Sequence, residues 1–280
     1  MKMERIFLYI GLILFALVLV FPFIWLLSSS FKESKDIFST TFELIPKKED
    51  GSFYFTLENY KKAFEYLDFP MLFKNTLIVA VVNTALNLYL NGLAGYAFAR
   101  MRFKGRDVIF KVILTAMMVP GTVLLVPNMI IVNKLGFYDS LAALILPFFI
   151  SIYNIFMMRQ HFMSLPRELE EAAVMDGAGW FKIFNKIALP LSKPILVVLG
   201  IFTFMWNYNN FLWPLVVINS SEKYTLALGL GALLTSGGQS AEKYPIMIAA
   251  SVIVALPLIV LFFIFQKHIM KGITAGSVKG

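Results

Sequence analysis

Residues 164–190 carry the stretch SLPRELEEAAVMDGAGWFKIFNKIALP, a polar connection between two long apolar segments. Pro166 suits the first turn of a helix, and the glutamates that follow favour the positive end of that helix. Gly177 then stops the helix, and a second short helix runs from about Trp180 until Pro190 ends it. We therefore predict a short helix-turn-helix outside the membrane, which we call the 164–193 hairpin.

The side chains in the middle of this hairpin are unusually small. Ala172, Ala173, Gly177 and Ala178 follow one another within seven residues. Small side chains let the backbone of another protein approach closely, whereas bulky ones would hold it away. The pattern therefore indicates a docking surface for a partner.

The composition of the whole chain places it in lipid. Of its 280 residues 59% are hydrophobic and 15% are charged, and the mean hydropathy is +0.75. A soluble domain of this length carries about 25% charged residues to cover its surface. We therefore expect an integral membrane protein.

Six segments are free of charge over a length that can cross a bilayer, for which about 20 residues at 1.5 Å each suffice. The first is longer than the core of a signal peptide, about 7 to 15 residues, so it is interpreted as a retained anchor. The fold class is therefore all-α and polytopic, with about six transmembrane helices. The segments are residues 6–31, 75–99, 112–133, 140–158, 194–221 and 244–266.

The distribution of basic residues sets the predicted orientation. Segments 100–111 and 159–193, with the two termini, hold lysine and arginine in excess, whereas the lysines of residues 32–70 are matched by acids. Membrane insertion leaves excess Lys and Arg in the cytoplasm, so both termini are expected to be cytosolic. The predicted organisation is an anchor helix at 1–31, an external segment at 32–70, a permeation core at 71–267 containing the hairpin, and a tail at 268–280.

The external segment has two interpretations. Its charges alternate with aromatic residues such as Phe53, Tyr54 and Tyr60. It either forms a small cap that shields the helix ends or offers a docking surface to an external partner.

The spacing within the hairpin resembles that of a known family. Permease subunits of binding-protein-dependent ABC importers share a signature of Glu-Ala-Ala, three residues, Gly, nine residues, Ile, one residue and Leu-Pro. Further stretches resemble the carbohydrate branch of that family, and within it the smaller maltose-transporter permease. The residues that carry the resemblance are Glu171-Ala172-Ala173, Gly177, Ile187, Leu189-Pro190, Gly95–Arg100, Phe103–Arg106 and Gly272–Gly280.

The resemblance implies the ABC importer permease fold and a set of partners. Those partners are a second, different permease, two cytosolic ATPase subunits that hold ATP and Mg, and an external sugar-binding protein. The chain itself is then a transport subunit without cofactor or enzymatic activity, in a bacterial or archaeal cell membrane. The residues expected to contact the ATPase are Glu171, Ala172, Ala173, Asp176 and Gly177 in the hairpin and Thr274, Ala275, Gly276 and Ser277 in the tail.

Polar residues inside the fourth and fifth segments are candidates for the substrate pathway. Aromatic faces beside amide groups suit a neutral sugar, through stacking and hydrogen bonds to its hydroxyls. Hydrogen bonding between helices is the open alternative, as is interfacial anchoring, which Trp206 and Trp213 also suit. The candidates are Asn207, Tyr208, Asn209, Asn210, Tyr153 and Asn154; Tyr208 stands where the family usually has tryptophan.

A second set of amides lies on the second segment. Asn83, Asn87 and Asn91 recur every four residues and therefore share one helix face. We interpret them as a stripe that packs against a neighbouring helix, with Gly92 and Gly95 supporting close contact.

The sequence also argues against other classes of function. Cysteine is absent, and the two histidines, His161 and His268, lack acidic or thiol neighbours at ligand spacing, so no metal site is expected. No carboxylate lies inside a span, which counts against a proton- or sodium-coupled carrier. Two alternatives stay open: a related permease for glycerophosphodiesters or polyols, and a freestanding channel or carrier.

Overall fold

The computed structural model describes residues 2–39, 43–47, 51–236 and 243–275, with side chains from residue 5 to residue 267 of these ranges. The regular elements of the described residues are helices, and one isolated antiparallel bridge joins Lys47 to Phe53. The predicted all-α class is therefore confirmed.

Most consecutive helices are joined by short connections, and the segment between Ile37 and Glu58 is longer. The first eight are α1 (Lys2–Ser29), α2 (Ser34–Ile37), α3 (Glu58–Tyr66), α4 (Phe69–Arg100), α5 (Arg106–Thr115), α6 (Leu125–Lys134), α7 (Leu141–Ile145) and α8 (Ile152–Ser164). The others are α9 (Glu168–Met175), α10 (Trp180–Ile183), α11 (Leu189–Leu191), α12 (Lys193–Asn209), α13 (Leu212–Val217), α14 (Leu226–Ser236) and α15 (Tyr244–Ala275).

The chain divides into two compact units, of which the first comprises residues 1–69 and 229–259. In this unit Asn59 of α3 is buried and donates hydrogen bonds to the carbonyls of Ser30 and Lys32, at 2.9 and 2.8 Å. The Tyr60 hydroxyl lies 2.7 Å from the Ser30 hydroxyl, within hydrogen-bond distance. These contacts attach α3 to the end of α1. The most apolar stretch of α1, within Arg5–Ser29, has no buried residue.

The second unit comprises residues 70–228 and 260–280 and contains the three bent pairs of helices. Within the described ranges, three helices are long and apolar enough to cross a membrane alone, and up to six spans result if each bent pair is one: the three are Arg5–Ser29, Phe69–Arg100 and Tyr244–Lys267. The bends measure 93° between 106–118 and 121–134, 47° between 141–148 and 152–164, and 80° between 180–191 and 193–209. Each bend adjoins a proline, Pro120, Pro147 or Pro190, which removes a backbone donor.

The observed helix boundaries and bends correct three of the predicted spans. The third predicted span, 112–133, turns sharply near Pro120, and the fourth, 140–158, is broken before Ile152 and continues to Ser164. The fifth, predicted as 194–221, ends as a helix at Asn209 and resumes as α13. Hydropathy reports the length of an apolar run, but it does not report where a proline interrupts the helix.

α4 and α8 approach each other closely at Gly95. A Cβ atom placed on Gly95 would lie 2.8 Å from Met158 Cβ, 2.9 Å from Arg159 N and 3.0 Å from Ile155 O. Only a residue without a side chain allows this approach, so the close contact predicted for this position is present.

The broken fourth span is held by the three asparagines of α4, which we call the asparagine ladder. Asn83, Asn87 and Asn91 are at most 2% exposed. Their Nδ2 atoms donate to the carbonyls of Ile145, Phe148 and Phe149, at 3.0, 3.1 and 3.3 Å. Asn91 Oδ1 also accepts a hydrogen bond from Ser151 N at 3.1 Å. The ladder therefore pairs backbone groups that the break leaves without a helical partner.

Replacing Gly95 by alanine should destabilise the protein, because the added methyl group meets two backbone atoms that cannot move aside. We expect a loss of about 1–3 kcal/mol, the usual cost of overpacking, seen as a lower Tm of the purified protein in detergent. Gly92→Ala is the matched control, because its methyl group would meet only side-chain atoms at 3.4–3.8 Å. A Tm for Gly95→Ala that equals that of Gly92→Ala would contradict the close approach.

Replacing Asn87 by leucine should destabilise the break in the fourth span. The change removes the donor to Phe148 O, and an unpaired buried group costs about 1–3 kcal/mol. Thermal unfolding in detergent measures the effect. Asn209→Leu is the control, since Asn209 is exposed and its amide bonds only to Met205 O of its own helix. Equal Tm values for the two variants would show that the ladder does not hold the break.

Candidate functional site

A cavity of about 310 Å³ opens in the second unit beside the break in the fourth span. Residues from α4, α8 and α12 line it together with the connection between α7 and α8. Among the described residues that line this cavity none is charged, and they combine amide, hydroxyl and aromatic side chains. We call it the aromatic–amide cavity, and its polar and larger aromatic members include Asn83, Asn87, Tyr153, Asn154, Thr203 and Trp206.

A hydrogen-bond network fixes the amides behind the cavity. Asn154 Nδ2 donates to Asn87 Oδ1 at 2.5 Å and to Thr203 Oγ1 at 3.1 Å. Asn207 Nδ2 donates to Asn83 Oδ1 at 3.2 Å and to Thr203 O at 2.8 Å. Because the network joins α4, α8 and α12, it holds these helices in one arrangement around the cavity.

Two aromatic rings stand at the open side of the cavity. Tyr153 is 51% exposed and Trp206 is 50% exposed, and the Trp206 ring packs against Phe148 at 4.9 Å between centroids. Exposed ring faces beside fixed amides can stack on an apolar face of a ligand and bond to its hydroxyls. The cavity wall is therefore suited to a polar, uncharged molecule.

The structure brings together only some of the residues predicted for the substrate pathway. Tyr153 and Asn154 line the cavity, and Asn207 lies in the network behind it. Tyr208 is instead 1% exposed with its ring near Phe204, at 6.0 Å between centroids. Tyr208, Asn209 and Asn210 are absent from the cavity lining.

The other two asparagines have local partners. Asn209 bonds within its own helix, and Asn210 Oδ1 accepts a hydrogen bond from Trp213 N at 3.4 Å, at the start of α13. Trp213 is 3% exposed and donates through Nε1 to Ala143 O at 2.9 Å, so it packs in the interior of the unit.

Thr203 and Trp206 belong to the cavity, although the sequence pointed to neither as a binding residue. Thr203 lies four residues before Asn207 on α12, so helical spacing places both on one face. Trp206 follows the same face one turn after Thr203. That spacing is the signal that would have found them.

The 164–193 hairpin has the predicted helix-turn-helix form at its start. α9 ends at Met175, and Gly177 has a positive φ of 76°, with Ala178 N donating to Ala173 O at 2.9 Å. This backbone conformation favours glycine and closes the C-terminus of the helix. Nothing lies within 4 Å of a Cβ built on Gly177, so the turn faces open space.

The second part of the hairpin differs from the prediction. α10 begins at Trp180 as predicted, but it ends at Ile183 and gives way to a π-helical turn at Phe184–Ala188. Pro190 lies inside α11, and the chain bends only after Leu191. Proline is tolerated there because the first turn of a helix leaves its donors unpaired anyway.

The hairpin presents two different faces. Ala173, Ala178 and Phe184 pack into an apolar cluster with Met158 and Phe162 of α8. The four other hairpin residues predicted to meet the ATPase are exposed: Glu171, Ala172, Asp176 and Gly177. Beside them lie apolar side chains that the sequence reading passed over, Val174, Met175, Trp180 and Phe181, of which Met175 is 86% exposed.

Asp139, in the connection between α6 and α7, holds the segment that follows α13. It accepts hydrogen bonds from Asn219 N at 2.9 Å and Ser220 N at 3.0 Å. The Ser220 hydroxyl and Lys223 Nζ also donate to the Asp139 carboxylate, at 2.5 and 2.9 Å. These donors hold the pKa of Asp139 well below its usual range, and the Ser220 hydroxyl has the largest effect. Sequence reasoning missed this residue, whose partners lie 80 or more positions away.

The predicted tail contacts are only partly visible. Thr274 and Ala275 are the last residues of α15, where only the backbone is described. Gly276 and Ser277 lie outside the described residues, as does the side chain of His268.

Comparison with known proteins identifies the family. The model of the family described as "Binding-protein-dependent transport system inner membrane component" matches residues 91–275. An inner membrane ABC transporter permease protein of Escherichia coli K12 is 35% identical to this chain, and the match covers 99% of this chain and 98% of that protein. An arabinooligosaccharides transport system permease protein of Bacillus subtilis is 37% identical, with 99% and 96% covered.

A third relative and two solved structures agree. A trehalose/maltose transport system permease protein of Thermococcus litoralis is 34% identical, with 99% of this chain and 98% of the relative covered. The fold is similar to a chain of a bacterial ABC transporter involved in the import of the acidic polysaccharide alginate, with a TM-score of 0.81, 24% identity, and 95% and 98% of the two chains covered. A chain of a bacterial alginate ABC transporter in complex with an alginate pentasaccharide-bound periplasmic protein is similar with a TM-score of 0.66 and 15% identity. The match covers 98% of this chain and 97% of that chain.

The resemblance read from residues 171–190 is thereby confirmed, and the chain belongs to the family of binding-protein-dependent transport system inner membrane components, the permease proteins of ABC transporters.

Proposed function

We propose that this chain is the membrane-spanning permease subunit of an ATP-driven, binding-protein-dependent importer of sugars or oligosaccharides, and that it forms half of the translocation pathway. The observation that carries the proposal is the aromatic–amide cavity between α4, α8 and α12, whose described lining is uncharged. Relatives named for arabinooligosaccharides and for trehalose/maltose support it.

The absence of charge in this lining favours a neutral solute. A glycerophosphodiester or an acidic polysaccharide brings a negative charge into a region of low dielectric, where it needs a cationic partner. The described lining of the cavity offers amides, hydroxyls and rings instead. A sugar, whose hydroxyls bond to amides and whose ring faces stack on Tyr153 or Trp206, fits this wall better.

The energy for transport comes, in this proposal, from ATPase subunits that dock on the 164–193 hairpin. Glu171, Ala172, Asp176 and Gly177 are exposed on its outer face, and Met175 adds an apolar side chain that can enter a groove. Moving a two-state pathway from about 1:99 to 99:1 requires roughly 5.5 kcal/mol of differential binding. Closure of an ATP-bound ATPase dimer supplies that bias, and Mg and ATP are held there.

The other partners follow from the same proposal. A second, different permease completes the pathway. An external binding protein delivers the sugar, as the complex with a periplasmic protein in the alginate system supports. Both termini lie in the cytosol, and the tail from Thr274 to Ser277 contacts the ATPase.

Reconstitution tests the proposed function directly. In liposomes the purified chain alone should pass no solute, and the chain with its companion permease, ATPase and binding protein should import sugar only with ATP. Labelled maltose, trehalose and arabinotriose are the probes, with glycerophosphocholine and glycerol as the competing solutes. Uptake by the chain alone would identify a channel or carrier, and preferential uptake of glycerophosphocholine would overturn the assignment to sugars.

A bulky residue at position 177 should uncouple transport from ATP hydrolysis. Gly177→Leu places a side chain on the docking face, and we expect membrane insertion to be normal while ATP-dependent uptake falls by at least about fivefold, the lower end of typical coupling free energies. Gly136→Leu is the matched control. Gly136 also has a positive φ, 77°, and open space around its Cβ, but it lies in the connection between α6 and α7. Normal uptake by Gly177→Leu would count against docking at this turn.

A further inference from the structure

An ion pair between Arg100 and Glu170 connects the hairpin to the longest helix of the second unit. Arg100 is the last residue of α4, and its Nε lies 3.1 Å from Oε1 of Glu170 in α9. Arg100 Nη2 also donates to the carbonyl of Leu165, the residue after α8, at 2.6 Å. One guanidinium group therefore joins three helices that are separate in the sequence.

The pair is buried in apolar surroundings. The side chains of Arg100 and Glu170 are 4% and 10% exposed. Tyr96 lies one turn earlier on α4, and its ring contacts Phe162 and Phe184 at 5.3 and 5.5 Å between centroids. Burial raises the pKa of Glu170, and the neighbouring Arg100 opposes that rise. A charge in such a place is stable only while its partner is present, so separating the two is costly.

The Tyr89 hydroxyl of α4 also donates to Asn185 Oδ1 at 3.3 Å, but this bond holds the segment after α10 rather than α9. The apolar contacts of α9 and of the turn after it are of a different kind from the ion pair. Ala173 and Ala178 present small, smooth surfaces to the apolar cluster. Dispersion contacts of this sort have no preferred direction, so helices can slide along them at little cost. The Arg100 guanidinium, in contrast, donates to one fixed carbonyl oxygen at Leu165 and lies against one buried carboxylate, so its charge is held at one position along α9.

α4 leads from this pair to the aromatic–amide cavity without interruption. It is one helix from Phe69 to Arg100, so Asn83 lies about 25 Å along its axis from Arg100, at 1.5 Å per residue. Near the same end, Gly95 holds α4 against Ile155 and Met158 of α8, the helix that carries Tyr153 and Asn154. A displacement of α9 that carries Arg100 with it therefore reaches two walls of the cavity.

We propose that Arg100 and Glu170 are positioning residues for transport: their ion pair keeps α9 in fixed register with α4, so that a force on the hairpin moves the helices that line the cavity. The inference rests on the proposed function, and it assigns to the pair a role distinct from docking. Glu171 and Gly177 receive the ATPase on the exposed face, whereas Arg100 and Glu170 act inside the protein and touch neither sugar nor ATPase.

The test replaces both charges with amides, Arg100→Gln together with Glu170→Gln, which removes the ion pair without leaving an unpaired buried charge. The variant is assembled with the companion permease, ATPase and binding protein in liposomes. The measured quantity is the number of sugar molecules imported per ATP hydrolysed, for the saccharide that wild type imports best. We expect this ratio to fall by at least about fivefold while the ATPase still turns over.

The matched control is Arg102→Gln with Glu222→Gln. It removes one positive and one negative charge from the second unit, as the test variant does, but both side chains are exposed and lie outside the ion pair and outside the hairpin. The control should keep the wild-type ratio. A purely structural role for Arg100 and Glu170 would lower the yield of assembled complex and leave the ratio per complex unchanged, so an unchanged ratio in the test variant overturns the proposal.

If the double replacement fails to assemble, a second variant tests the positioning role. Arg100→Lys keeps the buried charges balanced, but one ammonium group cannot reproduce the planar fork that reaches both Glu170 and Leu165 O. It should assemble and show a partial fall in the import ratio, and a wild-type ratio would refute the positioning role. Absence of ATP-dependent uptake in the wild-type complex is a separate result, which overturns the proposed function itself.

Discussion

The second unit depends on how its backbone is paired where a membrane-spanning helix breaks. The hydrocarbon core of a bilayer has no water to satisfy a free carbonyl or amide, so an interrupted helix needs another partner at that depth. The asparagine ladder supplies it: three amides on one face of α4 take up the carbonyls of Ile145, Phe148 and Phe149 and the N–H of Ser151. Without these bonds, the break beside Pro147 would leave several buried polar groups unpaired.

The same requirement produces the candidate binding surface. Once the helix is broken, Asn154 and the residues around it turn toward α4 and α12, and their amides join the ladder through Asn87 and Thr203. A wall of fixed amides and half-exposed rings then borders a cavity of about 310 Å³. Polar groups that the backbone needs for stability are thus also the groups that a passing sugar would meet, and the packing that satisfies them holds them in place for that contact.

The 164–193 hairpin packs against the rest of its unit with one face and leaves the other face exposed. Its inner face carries Ala173, Ala178 and the buried carboxylate of Glu170, and its outer face carries the turn at Gly177 and the exposed Met175. Small residues in the signature therefore have two separate tasks, since Ala173 packs against the protein's own cluster whereas Gly177 shapes a free turn. A hairpin held on one side and open on the other is suited to receive a partner and to pass its movement inward.

Composition and short-range patterns were enough to predict the membrane location, the helical class, the number of apolar segments, the family and the glycine turn of the hairpin, because each depends on composition or on residues within one or two turns of each other. The three-dimensional structure was needed to show that Tyr153 and Asn154 reach the cavity while Tyr208 packs away from it. It also decided the bends of 47°, 80° and 93° and the pairing of Arg100 with Glu170. These features arise where segments distant in the sequence meet, and the direction of a side chain there depends on which backbone group or charge the other segment offers.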